Sequence, residues 1–240
     1  MGMALSCKAK KMTKAERIEK MQERLKEMKS FDGRFRGGSG AGTGPNGIIN
    51  LGGIDEVGRG PLAGPVVTAC VVLPDDFDVL GVDDSKKLSE KRREELFDEI
   101  LDSALAYGIG IVDNEVIDEL NILEATKKAM IMSAVECSRM LEEKGLGELD
   151  YVLVDAVKLD DLKRPYSAII KGDANSLSIA AASIIAKVTR DRMMLEYAKE
   201  YPWYGFESNK GYGTQAHYDG IKKHGITPIH RKSFLKNLGY

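Results

Sequence analysis

Two neighbouring apolar segments, residues 49–56 and 65–73, constrain the fold of this chain most strongly. The turn between them contains Gly58 and Gly60, which allow the backbone to reverse tightly. Both segments are apolar and short, so they are predicted to form adjacent strands. The apolar run at residues 63–73 is too short to cross a bilayer, which needs about 20 residues, and a buried strand explains it.

The rest of the chain alternates between helical and extended patterns. Ser89 is a predicted helix cap, Asn121 is predicted to start a long helix, and Gly145 to close it. Helices are predicted over residues 89–103, 121–143 and 177–200, and strands over residues 105–112, 151–154 and 167–171. A hairpin followed by alternating helices and strands predicts an α/β fold with a mixed sheet flanked by helices. The C-terminal part carries turns and short helices.

The N-terminal segment is predicted to be a basic helix within residues 1–30. Thr13 and Glu16 form a capping box, and apolar residues follow at helical spacing. These are Ile18, Met21, Leu25 and Met28. Such a helix could dock on the body, pair with a partner or touch nucleic acid.

A glycine-rich stretch follows this helix. Residues 32–47 contain seven glycines, so residues 31–47 are predicted to form a flexible linker. The catalytic body is then predicted to span residues 48–240. Deleting everything up to residue 46 is expected to leave its chemistry intact.

Charge is distributed unevenly, although the net charge is only −2. Residues 75–150 carry 21 acidic and 9 basic side chains, whereas residues 208–240 carry six Lys/Arg and one Asp. This distribution is compatible with a nucleic-acid partner and equally with solvated charged faces. Cys7, Cys70 and Cys137 form no C-x-x-C pair, which indicates reduced thiols rather than a zinc site. No signal peptide is visible, so a cytoplasmic protein without a membrane partner is expected.

Four carboxylates lie at predicted strand ends or in the adjacent loops: Asp55, Glu56, Asp155 and Asp173. Carboxylate oxygens suit Mg²⁺ or Mn²⁺, and two such ions about 3.5–4 Å apart can hydrolyse a phosphodiester. Neighbours on a strand point to opposite faces, so Asp55 and Glu56 can share a site only if the strand ends there, or if Glu56 reaches around through a bulge or the following glycine turn.

Five segments together carry a family resemblance. They are GIDEVGRGPLAGPVVTACVVLP from Gly53, DDSKKLSEKRRE from Asp83, YVLVDA from Tyr151, KGDANSLSIAAASIIAKVTRD from Lys171 and NKGYGTQAH from Asn209. In this order they resemble bacterial ribonuclease HII, the type 2 ribonuclease H family, from about residue 48 to the C-terminus. The resemblance implies a ribonuclease H-like fold with a helical C-terminal extension.

The resemblance also implies an endonuclease that acts on RNA–DNA hybrids and on DNA duplexes containing ribonucleotides, working as a monomer. It implies cleavage on the 5′ side of a ribonucleotide, leaving 3′-hydroxyl and 5′-phosphate ends, with Mn²⁺ or Mg²⁺ in a two-metal site. The implied catalytic and metal-binding residues are Asp55, Glu56, Asp155 and Asp173, and the implied substrate-binding residues include Gly58, Arg59, Gly60 and Tyr212. Ala156 stands where the family commonly has Gly, which matters only if that position needs a positive φ.

The basic residues near these motifs allow more than one interpretation. Lys86 and Lys87 precede a helix and could contact phosphate, or could simply be solvated. Lys171, Lys187 and Arg190 could line a duplex channel, and Lys187 could instead pair with a carboxylate.

Aromatic and histidine side chains in the C-terminal part are given non-catalytic roles. Tyr201, Trp203 and Tyr204 are predicted to pack rather than stack on bases. His217, His224 and His230 lack tight ligand spacing and are expected to be solvated or to face phosphate.

Two other functions remain open from sequence. A ribonuclease H-like domain could grip a hybrid duplex without cutting it, and all four candidate ligands argue for the enzyme instead. A DNA nuclease or transposase-like enzyme could share the fold, but the G-R-G turn and the Tyr212 segment argue against it.

Overall fold

The computed structural model describes residues 12–36 and 48–239. Its centre is a five-stranded sheet with the order β3-β2-β1-β4-β5. The strands are β1 (Leu51–Val57), β2 (Val66–Val72), β3 (Ala106–Val112), β4 (Tyr151–Asp155) and β5 (Tyr166–Ile169). β1 is antiparallel to β2 and parallel to β4, and β4 is parallel to β5. The predicted mixed sheet is confirmed, and the carboxyl ends of β1, β4 and β5 lie along one edge.

The helices cover both faces of this sheet. They are α1 (Lys14–Arg36), α2 (Glu90–Ser103), α3 (Asn114–Leu120), α4 (Ile122–Glu143), α5 (Gly172–Asn175), α6 (Leu177–Glu200), α7 (Phe206–Asn209) and α8 (Gln215–His224). α6 packs on β1 and β2, and α4 packs against β2 and β3. A Cβ on Gly53 would lie 2.2 Å from the Ser178 carbonyl carbon, so α6 can approach β1 this closely only over glycine.

Most predicted elements are confirmed, with shifts of one or two residues at their ends. Ser89 caps α2 by accepting from the Arg92 N–H, and Asn121 caps α4 from a backbone φ of 82°. The seven residues of α3 were not predicted to be helical, because they precede Asn121, where the long helix was predicted to start. Three-residue 3₁₀ helices occur at Ser85–Lys87, Lys232–Phe234 and Lys236–Leu238.

The N-terminal helix is longer and more tightly bound than predicted. The capping box is present, with Thr13 N–H donating to Glu16 at 2.6 Å, but α1 continues to Arg36. The predicted helix end at residue 30 and the predicted linker start at residue 31 are therefore wrong. The remaining linker residues, 37–47, lie outside the described residues. Met28 is fully buried, and Asp32 is buried as well, so α1 docks on the body.

Asp32 links α1 to the first turn of α6. Its Oδ2 accepts from the Ser178 N–H at 2.9 Å and from the Ser178 hydroxyl at 2.8 Å. A carboxylate at this position satisfies an N–H that the helix leaves without an internal partner, and it suits the positive end of the helix dipole. Two further contacts place α1 beside the predicted Asp173 segment, because Arg24 donates to the Ala174 carbonyl and to Asp83.

Asp32→Ala is expected to lower the free energy of unfolding by about 1–2 kcal/mol, the usual effect of losing a helix-capping acceptor. Glu27→Ala is the matched control, since Glu27 lies on the exposed side of the same helix and should change stability by no more than about 0.5 kcal/mol. Urea unfolding of both variants measures the difference. Equal stabilities would mean that α1 is not docked in solution, and the predicted weak coupling of the N-terminal segment would stand.

Among the described residues, no helix is long and apolar enough to cross a membrane. Cys70 and Cys137 are buried and free, and Cys7 lies outside the described residues.

Candidate active site

Three carboxylates meet at the edge where the parallel strands end. Asp55 lies on β1, Asp155 is the last residue of the neighbouring β4, and Asp173 lies on α5, just after β5. One oxygen from each lies within 4.8 Å of the others. Asp55 and Asp173 are buried, and Asp155 is half-buried. The sheet topology therefore brings together residues that are far apart in sequence.

Each carboxylate is held by a neighbouring polar group. Asp55 Oδ1 accepts from the Glu56 N–H at 2.8 Å, and Asp155 Oδ1 accepts from the Gly172 N–H at 2.7 Å. The Ser183 hydroxyl also hydrogen-bonds Asp55 and lies 2.8 Å from the Ser85 hydroxyl. Sequence reasoning missed Ser183, whose only signal is a lone hydroxyl among the small apolar residues of α6.

The electrostatics of the cluster disfavour three negative charges in the absence of a cation. Burial, followed by the charges of Glu56 and Asp155, raises the pKa of Asp55 well above its usual range. Burial likewise raises the pKa of Asp155, and the nearby Asp173 adds to this effect. Like-charged carboxylates crowded in this way are stabilised by a bound cation.

Glu56 lies apart from the other three carboxylates. The β1–β2 register runs unbroken through Asp55↔Ala69, Glu56↔Thr68 and Val57↔Val67, so the strand neither ends nor bulges at Glu56, contrary to two of the three alternatives foreseen from sequence. Glu56 is nevertheless close enough to act on the cluster, because its charge is, after burial, the largest cause of the raised pKa of Asp55. Glu56 Oε1 lies 3.5 Å from the Arg59 guanidinium. Its Oε2 is buried without a hydrogen-bond partner among the described residues.

These residues fit a divalent metal ion. The donors are hard carboxylate oxygens, which Mg²⁺ and Mn²⁺ prefer. The unpartnered Glu56 Oε2 leaves one more oxygen free to coordinate. Lys86 Nζ lies 3.1 Å from Asp173 Oδ2, so an exposed ammonium already supplies positive charge at this point. Lys87 pairs instead with Asp83 at 3.2 Å.

The G-R-G turn is anchored from beneath by a buried arginine. Gly58 has a φ of 92°, which suits glycine. Arg231, which is fully buried, donates to the Gly58 carbonyl at 2.6 Å, to the Arg59 carbonyl at 2.9 Å and to the Gly64 carbonyl at 2.8 Å. Because Arg231 binds the carbonyls on the inner side of the turn, the outer side of the turn remains accessible. The Arg59 side chain is 43% exposed there.

Tyr212 lies beside this turn. A Cβ on Gly60 would be 3.5 Å from Tyr212 Cε1, an ordinary van der Waals distance. The Tyr212 side chain is partly exposed, at 45%. The turn and the tyrosine, separated by about 150 residues of sequence, therefore form one surface.

Ala156 adopts the left-handed backbone conformation, which favours the glycine that the family commonly has at this position. Its φ is 49°, and its N–H donates to the Ile169 carbonyl at 3.0 Å. A left-handed conformation costs a non-glycine residue roughly 1 kcal/mol. The alanine in place of the usual glycine therefore does matter, because this position, one residue after Asp155, has a positive φ.

Several interpretations of basic and aromatic residues are corrected. Arg190 is fully buried and donates to main-chain carbonyls, so it cannot line a duplex channel. His217 and His230 are buried, not solvated, because aromatic residues of the C-terminal part enclose them. Lys187 pairs with Asp191 at 2.7 Å, which confirms its structural alternative.

The remaining side chains vary in exposure. Lys171 is exposed in a left-handed conformation. Tyr204 is buried and Tyr201 packs on the C-terminal core, as predicted. Trp203 is 61% exposed and stacks on His224 at 4.7 Å between ring centroids, so its ring makes a packing contact within the protein, and the packing role predicted for it stays a prediction.

The sheet order and the edge-clustered acids define a ribonuclease H-like α/β protein. Solved structures share this fold: the chain is similar to ribonuclease H2 from Pyrococcus horikoshii OT3, with a TM-score of 0.64, 27% identity, and coverage of 77% of this chain and 93% of that one. It is also similar to the RNase HII of Archaeoglobus fulgidus, solved in complex with PCNA, with a TM-score of 0.63, 28% identity, and coverage of 78% and 94%.

The family model for ribonuclease HII matches residues 52–237. Ribonuclease HII of Clostridioides difficile strain 630 is 52% identical over 225 residues, which cover 94% of this chain and 82% of that protein. Ribonuclease HII of Acetivibrio thermocellus is 56% identical over 188 residues, 78% of this chain and 70% of that protein. The chain belongs to the ribonuclease HII family. It is a ribonuclease H, an endoribonuclease that acts on RNA–DNA hybrids.

Proposed function

We propose that this ribonuclease H also cuts DNA duplexes on the 5′ side of a single embedded ribonucleotide, leaving 3′-hydroxyl and 5′-phosphate ends. The observation that carries the proposal is the position of Tyr212 against Gly60 of the G-R-G turn, which closely follows Asp55 and Glu56 in the chain. One ribonucleotide offers one 2′-hydroxyl, so a site that recognises it needs a contact at a single sugar.

The carboxylates supply the hydrolytic part of the proposal. Asp55, Asp155 and Asp173 would hold metal, with Glu56 contributing its free Oε2. Two divalent cations bound there would activate a water and stabilise the leaving 3′-oxygen. Hydrolysis by water leaves the 2′-hydroxyl of the ribonucleotide unreacted, which is why 5′-phosphate ends are expected.

The G-R-G turn supplies sugar recognition. Backbone groups of glycine can approach a ribose closely because no Cβ intervenes, and Arg231 keeps the turn rigid from inside. Lys86 and Lys87 extend from the 3₁₀ helix at the edge of the site, with side chains 76% and 52% exposed. We expect them to contact the phosphate backbone of the bound duplex, where each contact would make affinity salt-dependent.

The test uses a DNA duplex with one embedded ribonucleotide, incubated with Mg²⁺, with Mn²⁺ and with a chelator. Cleavage in either metal, no cleavage with chelator, and a 5′ product that a polymerase extends without prior phosphatase treatment are expected. An all-DNA duplex serves as the control. Cutting of that control at the same rate would indicate a DNA nuclease, and a gel shift without cleavage would indicate a binding module.

A further inference from the structure

Two buried imidazoles lie directly behind Tyr212. His217, on α8, is 0% exposed, and His230, in the segment that follows α8, is 1% exposed. Their Nε2 atoms lie 3.0 Å apart. Both rings are closed off from solvent, and neither belongs to the carboxylate cluster.

The hydrogen-bond partners determine the protonation state of both rings. His217 Nδ1 lies 3.0 Å from the Tyr212 carbonyl, which can only accept, so Nδ1 carries the proton. His217 Nε2 then accepts from His230 Nε2–H. His230 Nδ1 in turn accepts from the Thr227 N–H at 2.9 Å and the Thr227 hydroxyl at 2.8 Å. When both rings are neutral, every donor in this series of hydrogen bonds faces an acceptor.

An additional proton would break this match. It would place two N–H groups face to face, either between the rings or at Thr227. Burial, followed by the neighbouring imidazole, lowers the pKa of His230 to about 4, and burial also lowers the pKa of His217. The neutral pair is therefore the state at neutral pH.

Three successive main-chain carbonyls of the segment that carries Tyr212 each accept a hydrogen bond from another part of the protein. Arg190 donates to the Lys210 carbonyl at 2.8 Å, the Leu62 N–H donates to the Gly211 carbonyl at 2.8 Å, and His217 donates to the Tyr212 carbonyl. Lys210 and Gly211 have φ values of 50° and 87°. A loop with two consecutive left-handed residues keeps that shape only when its surroundings hold it.

Arg231, the residue that follows His230, anchors the G-R-G turn, which lies beside Tyr212. Arg231 binds the Gly58 and Arg59 carbonyls, while His230, through His217, reaches the Tyr212 carbonyl. Two consecutive residues therefore tie the G-R-G turn and the Tyr212 loop to one stretch of backbone. The spacing between the turn and the tyrosine is set by that stretch.

We infer that the neutral His217–His230 pair is a positioning device that sets the place of Tyr212 relative to the G-R-G turn. This inference rests on the proposed role of Tyr212 at the ribonucleotide. His217 and His230 are positioning residues: they act through the Tyr212 main chain and touch no substrate.

Two substitutions at His217 separate its two hydrogen bonds. An Asn amide reaches about as far as Nδ1, so His217→Asn keeps a donor for the Tyr212 carbonyl and gives up His230. A Gln amide reaches about as far as Nε2, so His217→Gln keeps the His230 contact and gives up the Tyr212 carbonyl. His224→Gln, on the exposed end of the same helix, is the matched control.

Cleavage of the single-ribonucleotide duplex is measured as kcat and KM for each variant. His217→Gln is expected to lower kcat by up to about 10²-fold, the cost of a displacement of about 1 Å, with His217→Asn closer to wild type and His224→Gln unchanged. In a Tyr212→Ala background, His217→Gln should have no further effect on kcat, because the group it positions is gone.

The outcomes separate this inference from the proposed function. Loss of activity in Tyr212→Ala together with native kcat in His217→Gln would overturn the positioning role and leave the proposed function standing. Native activity in Tyr212→Ala would overturn the proposed role of Tyr212 itself. Additive losses in the double variant would assign His217 a general stabilising role and overturn the inference.

A spectroscopic measurement on the unmodified protein covers the case in which a His217 variant does not fold. With ¹⁵N-labelled histidine, each ring of the pair should show one protonated and one unprotonated nitrogen at pH 7, with a coupling between the two Nε2 atoms across their hydrogen bond. A doubly protonated ring at that pH would overturn the assignment.

Discussion

Asp55→Asn is expected to lower cleavage of an RNA–DNA hybrid by several orders of magnitude in Mg²⁺ while the fold survives. Asn has the shape of Asp but lacks the charge that would hold a cation, and Asp55 lies at the centre of the cluster with Asp155 and Asp173. Single-turnover cleavage with enzyme in excess measures the effect. Asp98→Asn, an exposed acid on α2, is the control and should cut at the wild-type rate.

The same substitution is expected to stabilise the metal-free protein at pH 7. The pKa of Asp55 is raised in the folded state, so the folded protein binds this proton more tightly than the unfolded chain does. The wild-type protein therefore loses stability as pH rises from about 4, the unfolded pKa, through the folded pKa of Asp55. Asn has no such titration.

Thermal melting in the presence of a chelator, at pH 5 and pH 7, checks this second effect. The gap between variant and wild type should widen toward pH 7 and narrow when Mg²⁺ is added to the wild type. A variant that cuts at near-native rate in Mg²⁺ would remove Asp55 from the metal site, whatever its stability.

Tyr212→Ala should lose activity on a duplex with one embedded ribonucleotide, by about 10²-fold if the scissile phosphate is displaced by about 1 Å. Metal affinity and thermal stability should stay close to wild type, because the side chain is 45% exposed and is not one of the clustered carboxylates. Activity on a long RNA–DNA hybrid should also fall, unless other contacts position that substrate.

Tyr212→Phe divides the effect between ring and hydroxyl. If stacking of the ring positions the junction, the Phe variant keeps most of the activity; if the hydroxyl does so by a hydrogen bond, Phe resembles Ala. Both substrates are assayed beside a calorimetric metal titration. Unchanged cleavage of the single-ribonucleotide duplex by Tyr212→Ala would leave the ring with a packing role only.

Local patterns were sufficient wherever a segment's structure depends on its own residues. Apolar runs predicted the central strands, and Ser89 and Asn121 predicted the starts of α2 and α4. These signals are local because caps and periodicity involve residues within one or two turns of each other. Asp55, Asp155 and Asp173 were found in the same way, as acids at the ends of strands.

Predictions failed where a residue's environment is made by distant parts of the chain. Asp32 stands in a glycine-rich stretch that is typical of a linker, yet Ser178 gives it two partners. Arg190 and Arg231 are charged and were expected at the surface or left unassigned, but loop carbonyls enclose them. Burial of a polar group depends on which partners the fold brings to it, and no local pattern contains that information.

The sequence by itself determined the α/β class, the order of elements and the acids that could bind metal. It could do so because periodicity, helix caps and the chemistry of single residues depend only on residues that are close together in sequence. Tertiary structure alone decided that Glu56 lies outside the close trio of Asp55, Asp155 and Asp173, that α1 belongs to the body, and that His217 and His230 stand neutral behind Tyr212. These features depend on strand register, on helix docking and on the matching of buried donors with acceptors. Each of these features brings together residues that are distant in sequence, and no local pattern indicates that they will be in contact.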